Sequence, residues 1–378
     1  MPAIVINAYN RPHALQRLLH SLARAHVPDG TRLIISIDHG GDPQVRRIAE
    51  NFAWAHGPFE VIAHERKRGL IGHFLFCGGL TRTLGDIIYL EDDLYVSRAF
   101  YAFAAQSLEA YRHDSRVAGI SLNRLHFNGY TRYPFEPIPD AADVFFLQVY
   151  WYQGQAYTPR MWEEFETWWH TPDREVRPED GLHPALLPGP AWEDDFFPSA
   201  IKYLAQTGKF FVFPCQSLTT NFGDAGTHFE HGTRFFQVPL QHHRRDFRFQ
   251  PLEAALAVYD PFFEILPDRL AAALPGYDFD VDLNGTKPPA ARTRPWVLTT
   301  RPVTAAARGF ALALRPPEMN VLEGLPGRGI ALARPGDIRR GWLADLRFEQ
   351  QRHAYHARGE IALRRWLLYW LAKKLTRP

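Results

Sequence analysis

The chain has 378 residues, of which 46% are hydrophobic and 22% charged, with a formal net charge of +2. This is the balance of a folded globular protein with room for one large domain and a smaller one, and it excludes a disordered polyelectrolyte. So small a net charge gives no reason to expect bulk nucleic-acid binding.

Two cysteines, Cys77 and Cys215, suggest no disulfide framework and fit a reducing compartment. The start "MPAIVINAYNRP" lacks the basic and apolar regions of a signal peptide. No apolar run approaches the roughly 20 residues that span a bilayer. A cytoplasmic location is expected.

The first 110 residues alternate strand and helix. "AIVINAY" reads as a buried strand, followed by a helix that starts at Pro12 and carries Leu15, Leu18, Leu19 and Leu22 on one face. "RLIISIDHGG" is a second strand, and Asp42 and Pro43 read as N-cap and first residue of a helix burying Val45, Ile48 and Phe52. "FEVIAHE" and "DIIYL" are a third and a fourth strand. A further helix begins after Ser97, its face marked by Phe100, Phe103, Ala104, Leu108 and Tyr111.

This order predicts an α/β fold with a mostly parallel sheet covered on both faces, in which ligands sit beyond the carboxyl ends of the strands. Four polar segments fall at those ends: Asn7 to Arg11, Asp38 to Gly41, Glu65 to Gly69, and Glu91 to Asp93.

From about 115 to 250 the pattern turns irregular and aromatic. "RVAGISLN", "VFFLQVYWYQGQAYTP" and "KFFVFP" read as strands. Met161 to His170 and Ser199 to Gln206 read as helices, the second ended by Gly208. Thr171 to Pro190 is a long Pro-rich loop, and "NGTKPPAARTRP" reads as a linker. The expected organisation is 1–112 as a ligand-binding half, 113–278 as a second half of the same domain, and 279–378 as a small α+β extension.

Glu91, Asp92 and Asp93 at a strand end suit a divalent cation that keeps water and phosphate as its other ligands. "AWEDDFFPSAIKY" places Glu193, Asp194 and Asp195 before a helix, where acids cap free N–H groups and where a carboxylate beside an aromatic wall can act as a general base. "TNFGDAGTHFEHGTRFF" combines glycines with His228 and His231 and reads as a lid, with His228 a candidate metal ligand. Arg66, Lys67 and Arg68 offer positive charge suited to phosphate.

The ordered set "NAYNRP", "SIDHGG", "YLEDDLYVSRAFYAF", "WEDDFF" and "FGDAGTHF" resembles nucleotide-sugar-dependent glycosyltransferases of the GT-A fold over residues 3 to 245. It is similar to N-acetylglucosaminyltransferase I and to bacterial family-2-like transferases. The resemblance implies that Arg11, Asp38, Glu91 and Asp92 lie around the donor, and Asn7, Lys67 and Arg68 join them as candidates from their strand-end positions and charge. It implies that Asp93 binds manganese or magnesium, and that the loop around His228 orders over the donor. It puts the catalytic base in the Trp192–Asp194 segment and leaves Glu193 and Asp194 both open.

The implied reaction is inverting transfer from a nucleotide-sugar, expected to be a UDP-sugar, to a hydroxyl of a glycan or lipid-linked saccharide. Thr171 to Pro190 and the region from Asp280 onward depart from the family pattern. The tail "RGEIALRRWLLYWLAKKLTRP", residues 358 to 378, has the aromatic and basic residues of a segment that lies in a bilayer interface. Three rivals remain: a retaining transferase, a nucleotidyltransferase on a related sheet, and a non-catalytic carbohydrate-binding protein.

Overall fold

A computed structural model describes residues 1–224, 232–233 and 236–356. The first four strands are β1 (Ala3–Ala8), β2 (Leu33–Ile37), β3 (Phe59–Ala63) and β4 (Ile87–Glu91). They pair in parallel in the spatial order β4, β1, β2, β3. The runs that form β1, β2 and β4 are apolar almost throughout, as strands buried on both faces must be, while the edge strand β3 is only partly covered. Helices α1 (Pro12–Leu22), α2 (Pro43–Glu50), α3 (Gly69–Gly79) and the short α4 (Thr81–Leu84) connect them.

Local signals account for these helices. Pro12 opens α1, and Leu15, Leu18, Leu19 and Leu22 are buried in the core. A Leu18→Ala change there would cost about 2–5 kcal/mol. The Asp42 carboxylate accepts from the Gln44 N–H at 2.8 Å and caps α2. Helix α3 has no amphipathic period, because both its faces are covered. Gly78 on α3 lies so close to Trp162 that a Cβ would sit 2.1 Å from its ring.

The sheet continues beyond β4. A short β5 (Leu94–Val96) and α5 (Phe100–Tyr111) follow the acids. Then come β6 (Val117–Ser121), β7 (Val144–Leu147), β8 (Gln155–Tyr157), α6 (Pro159–Trp169), α7 (Phe197–Thr207), β9 (Phe210–Pro214), β10 (Thr219–Asn221) and β11 (Val258–Tyr259). The nine-stranded order is β11-β7-β9-β6-β8-β4-β1-β2-β3. Strand β8 runs antiparallel to both β4 and β6, and β7 runs antiparallel to β9, while the other neighbouring pairs are parallel. The stretch read as a single strand, "VFFLQVYWYQGQAYTP", is therefore two strands, with the Val149–Gly154 segment turning between them.

Strands β5 and β10 form a separate antiparallel ribbon beside the carboxyl ends of the main strands. The C-terminal part adds α8 (Pro267–Leu270), β12 (Phe279–Asp282), β13 (Trp296–Thr299), β14 (Arg308–Phe310), α9 (Met319–Leu322), β15 (Ile330–Ala333) and α10 (Trp342–His356). Its four strands lie in the order β12-β13-β15-β14.

"NGTKPPAARTRP" is not a linker. It connects two paired strands of that sheet, β12 and β13, and is tied down by its cations. Lys287 Nζ sits 2.5 Å from Asp260, and Arg292 pairs with Asp282 at 2.9 Å. Tyr259 on the edge strand β11 binds this part to the main sheet: its hydroxyl donates to Glu318 at 2.7 Å and accepts from the Ile138 N–H at 2.6 Å. No described helix is long and apolar enough to cross a membrane.

Candidate active site

Register brings three of the four polar strand ends together. Asn7 on β1 is opposite Ser36 on β2 and Glu91 on β4. Asp38 follows β2 directly, and its N–H donates to the Ala8 carbonyl at 3.0 Å.

Asp38 is buried, and its two oxygens are fully used. Oδ1 accepts from the N–H groups of His39 and Arg68, each at 2.8 Å, and Oδ2 accepts from Gly69 at 3.0 Å. It anchors the turn into α3, where Gly69 has φ +70°, a conformation costly for any other residue. Lys67 is exposed, with its ammonium 5.7 Å from the Tyr9 ring centre. The Arg68 guanidinium lies on the Phe76 ring at 4.3 Å and donates to His64 at 3.1 Å, so it sits beside α3. The Asn7 side chain turns inward and donates to the Tyr89 hydroxyl at 2.7 Å.

Around the acids, cations are scarce. Arg11 pairs with Asp93 Oδ2. Asp92 is buried and accepts one bond, from the Tyr9 N–H at 3.0 Å. Asp93 Oδ1 is buried with no partner among the described residues. Burial and Asp93 push the Glu91 carboxyl well above the usual carboxylate range, against the opposing pull of Arg11. The same two causes push Asp92 up to about 7. Burial opposes the charge on Arg11, but Asp93, Asp92 and Glu91 together raise its pKa.

This donor set fits a hard divalent cation. Such ions are commonly held by one or two carboxylates, with water and phosphate completing the shell. The unpartnered Asp93 Oδ1 is the protein oxygen available for one. No three acid or histidine side chains converge to hold a metal among the described residues. His228 lies outside the described residues.

The second acidic segment divides. Glu193 and Asp194 are exposed and make no hydrogen bond or ion pair among the described residues. Asp194 has φ +58°, and after it the chain turns Asp195 inward. Asp195 Oδ1 accepts from the Tyr152 hydroxyl at 2.5 Å and from the Phe197 N–H at 2.9 Å. Its Oδ2 has no partner among the described residues. Asp195 is also close enough to the first cluster to raise the Glu91 pKa. Tyr152 begins an aromatic stack, with Phe197 at 5.3 Å and Trp192 on Phe197 at 5.2 Å.

Two residues that face this site were not singled out from the sequence. Tyr152 had no signal beyond its aromatic surroundings. Arg17 on α1 lies within the electrostatic reach of Asp93, stacks on Phe222 at 4.5 Å and pairs with Asp224. It lies on α1 six residues after Arg11, a spacing that does not put the two on one helix face, so local sequence carried no signal for it.

Residues 3–164 match the family model described as Glycosyl transferase family 2. The match covers less than half of the chain: this part is similar to that family, and its mostly parallel sheet with flanking helices is consistent with the GT-A fold. The remaining residues, 165–378, lie beyond that match, and no curated protein is significantly similar to the chain in sequence.

Solved structures similar to the chain include S. aureus TarS 1–349 in complex with UDP-GlcNAc, with 14% identity and a TM-score of 0.41, covering 60% of this chain and 60% of that one. The mannosyltransferase PcManGT from Pyrobaculum calidifontis in complex with GDP-Man and Mn2+ shares 14% identity with a TM-score of 0.35, covering 56% and 55%. GalNAc-T7 with UDP, GalNAc and Mn2+ shares 14% identity with a TM-score of 0.37, covering 57% and 42%. The chain spans less than two thirds of each. The narrower likeness to N-acetylglucosaminyltransferase I is not carried by these matches.

Proposed function

We propose that the protein transfers a sugar from a nucleotide-sugar, a UDP-sugar by family resemblance, to a hydroxyl of a glycan or lipid-linked saccharide, with inversion at the anomeric carbon. The observation that carries this reading is the pair of acidic groups. Three carboxylates and Arg11 gather at the carboxyl edge of the sheet, and Asp195, near enough to raise the Glu91 pKa, has one oxygen anchored and the other without a partner among the described residues.

The resemblance left Glu193 and Asp194 open as the base. The geometry favours their neighbour Asp195. Tyr152 and the Phe197 N–H fix Oδ1, so Oδ2 is aimed without a competing donor. In this reading Oδ2 takes the proton of the acceptor hydroxyl as its oxygen bonds to the anomeric carbon. The bond from that carbon to the diphosphate breaks, and its electron pair leaves with the diphosphate. General-base help of this kind is worth about 10²–10⁴-fold.

Arg11 and Lys67 meet the negative charge that grows on the leaving group, the larger source of acceleration in such sites. A divalent cation, Mn2+ or Mg2+, supplies further positive charge there when bound, and Asp93 Oδ1 would hold it. Asp38 shapes the turn at Arg68 and Gly69 that borders the donor. Membrane contact through 358–378 and a lipid-linked acceptor belong to the same reading, but that tail lies outside the described residues.

Thermal-shift measurements with nucleoside diphosphates and nucleotide-sugars, with and without Mn2+, test the donor site. Ligand at about 100 times its Kd should stabilise the fold by about 2.7 kcal/mol. One nucleotide should raise the Tm in a metal-dependent way, and Asp93→Ala should remove the effect. No shift with any of them would sink the transferase reading.

A further inference from the structure

Helix α10 exposes Trp342, Leu343 and Leu346, which are 70%, 61% and 60% accessible. Among the described residues the other large exposed apolar side chains, Met1, Phe222 and Leu314, are scattered singly, as is normal for a protein surface. Positions i, i+1 and i+4 of a helix fall within an arc of about 100°. The three side chains therefore form one apolar ridge. Phe348 lies on the opposite side of the helix, where it is buried beneath the guanidinium groups of Arg301 at 4.6 Å and Arg352 at 4.9 Å. That contact fixes which face of α10 is left outward.

Charge around the ridge is one-sided. The two acids at the start and middle of the helix are already neutralised: Asp345 by Arg301 at 3.0 Å, and Glu349 by Arg352 at 2.5 Å. Arg339, Arg340 and Arg347 are exposed beside the ridge and have no ion pair among the described residues. The Arg339 guanidinium donates to the Val303 carbonyl at 3.2 Å, and its backbone N–H to the Pro302 carbonyl at 2.9 Å.

We infer that the Trp342–Leu343–Leu346 ridge, with Arg339, Arg340 and Arg347, is a docking surface for an anionic lipid bilayer. The apolar ridge enters the interface between headgroups and acyl chains, and the arginines meet the anionic headgroups. Tryptophan suits that boundary, since its ring is apolar and its N–H stays wet. A second copy of the chain is the poorer occupant. A twofold contact would bring the same patch from both copies together, setting three arginines against three, with Asp345 and Glu349 already paired within each copy. The surface stands apart from the acidic site, so this inference does not depend on the transfer reaction.

Co-sedimentation of the full chain with vesicles tests it, using an equimolar mixture of phosphatidylglycerol and phosphatidylcholine against phosphatidylcholine alone. The wild type should bind the anionic vesicles, and binding should weaken at high salt. The combined Trp342→Ser, Leu343→Ser, Leu346→Ser variant should bind about tenfold or more weakly, and so should Arg339→Glu with Arg340→Glu and Arg347→Glu. These residues are exposed, so both variants should keep the wild-type Tm and nucleotide response. Equal vesicle binding by the wild type and both variants would overturn the inference, as would no binding by the wild type. A wild-type dimer that the serine variant converts to monomer, without vesicle binding, would assign the ridge to a second copy instead.

Discussion

Two clusters of buried acids lie in this molecule, and they are built in opposite ways. In the C-terminal part Asp260, Glu264 and Asp282 come together, and burial pushes the Glu264 carboxyl well above its ordinary range. Nearly every oxygen there is met. Lys287 pairs with Asp260, Arg292 pairs with Asp282, and backbone N–H groups of Phe262, Asn284 and Lys287 donate at 2.7–3.0 Å. At the carboxyl edge of the main sheet, Glu91, Asp92 and Asp93 share Arg11 and one backbone N–H. Closed partner sets mark acids that hold a fold together. The set at the sheet edge is open, with Asp93 Oδ1 buried and unmet among the described residues, and in the proposed reading a donor and its cation complete it.

Substitutions can break this contrast. The largest effect is expected at Asp195, the acid with one free oxygen. Asp195→Asn should keep the bonds to Tyr152 and Phe197 but remove the base, lowering kcat by about 10²–10⁴-fold. Nucleotide-induced Tm shifts should be unchanged. If Glu193→Gln or Asp194→Asn lowers kcat by more than Asp195→Asn does, the assignment moves to the residue that the resemblance favoured. Lys287→Met in the closed cluster should act on stability alone. It leaves three acids with one arginine, and breaking a buried pair in this way costs about 3–5 kcal/mol. Chemical denaturation measures it; a loss below about 1 kcal/mol would mean that the cluster is wetter than its burial implies.

Much of this was legible from the chain, and the failures have physical reasons. The strands of the first half announce themselves as apolar runs, and Asp42-Pro43 and the Leu15–Leu22 face define α1 and α2 as expected. The acids after "DIIYL" were found because a strand end on a parallel sheet is where ligands bind. Helix α3, "GLIGHFLFCGG", gave no period because it is apolar all round. Which of the acids at 193–195 points inward depends on the backbone at Asp194 and on Tyr152, which is 43 residues before Asp195. Local sequence does not encode that choice. Arg17 meets Asp224 across 207 residues of chain. Residues 284–295 have the composition of a linker, and it is the pairs of Lys287 with Asp260 and Arg292 with Asp282, with the backbone bonds around them, that fix them as a loop between two paired strands.

The smallest expected effect sharpens the comparison through pH. Asp92 has its folded pKa raised to about 7, from a usual 3.8, by burial and by Asp93. Between these values the folded protein holds a proton that the unfolded chain releases. Its contribution to stability is full below about pH 4 and is lost as pH rises through 7. Asp92→Asn removes the titrating group while keeping an acceptor for the Tyr9 N–H. The wild type should therefore lose stability relative to this variant between pH 5 and 8, by on the order of 2–4 kcal/mol. Asp260→Asn in the closed cluster should do the reverse: it strips Lys287 of its partner and weakens the fold, with the variant below the wild type at pH 8. Melting curves of the three proteins across this range decide the matter. Parallel curves for wild type and Asp92→Asn would mean that Arg11 alone balances the acids, and that the open cluster carries no unmet charge for a ligand to relieve.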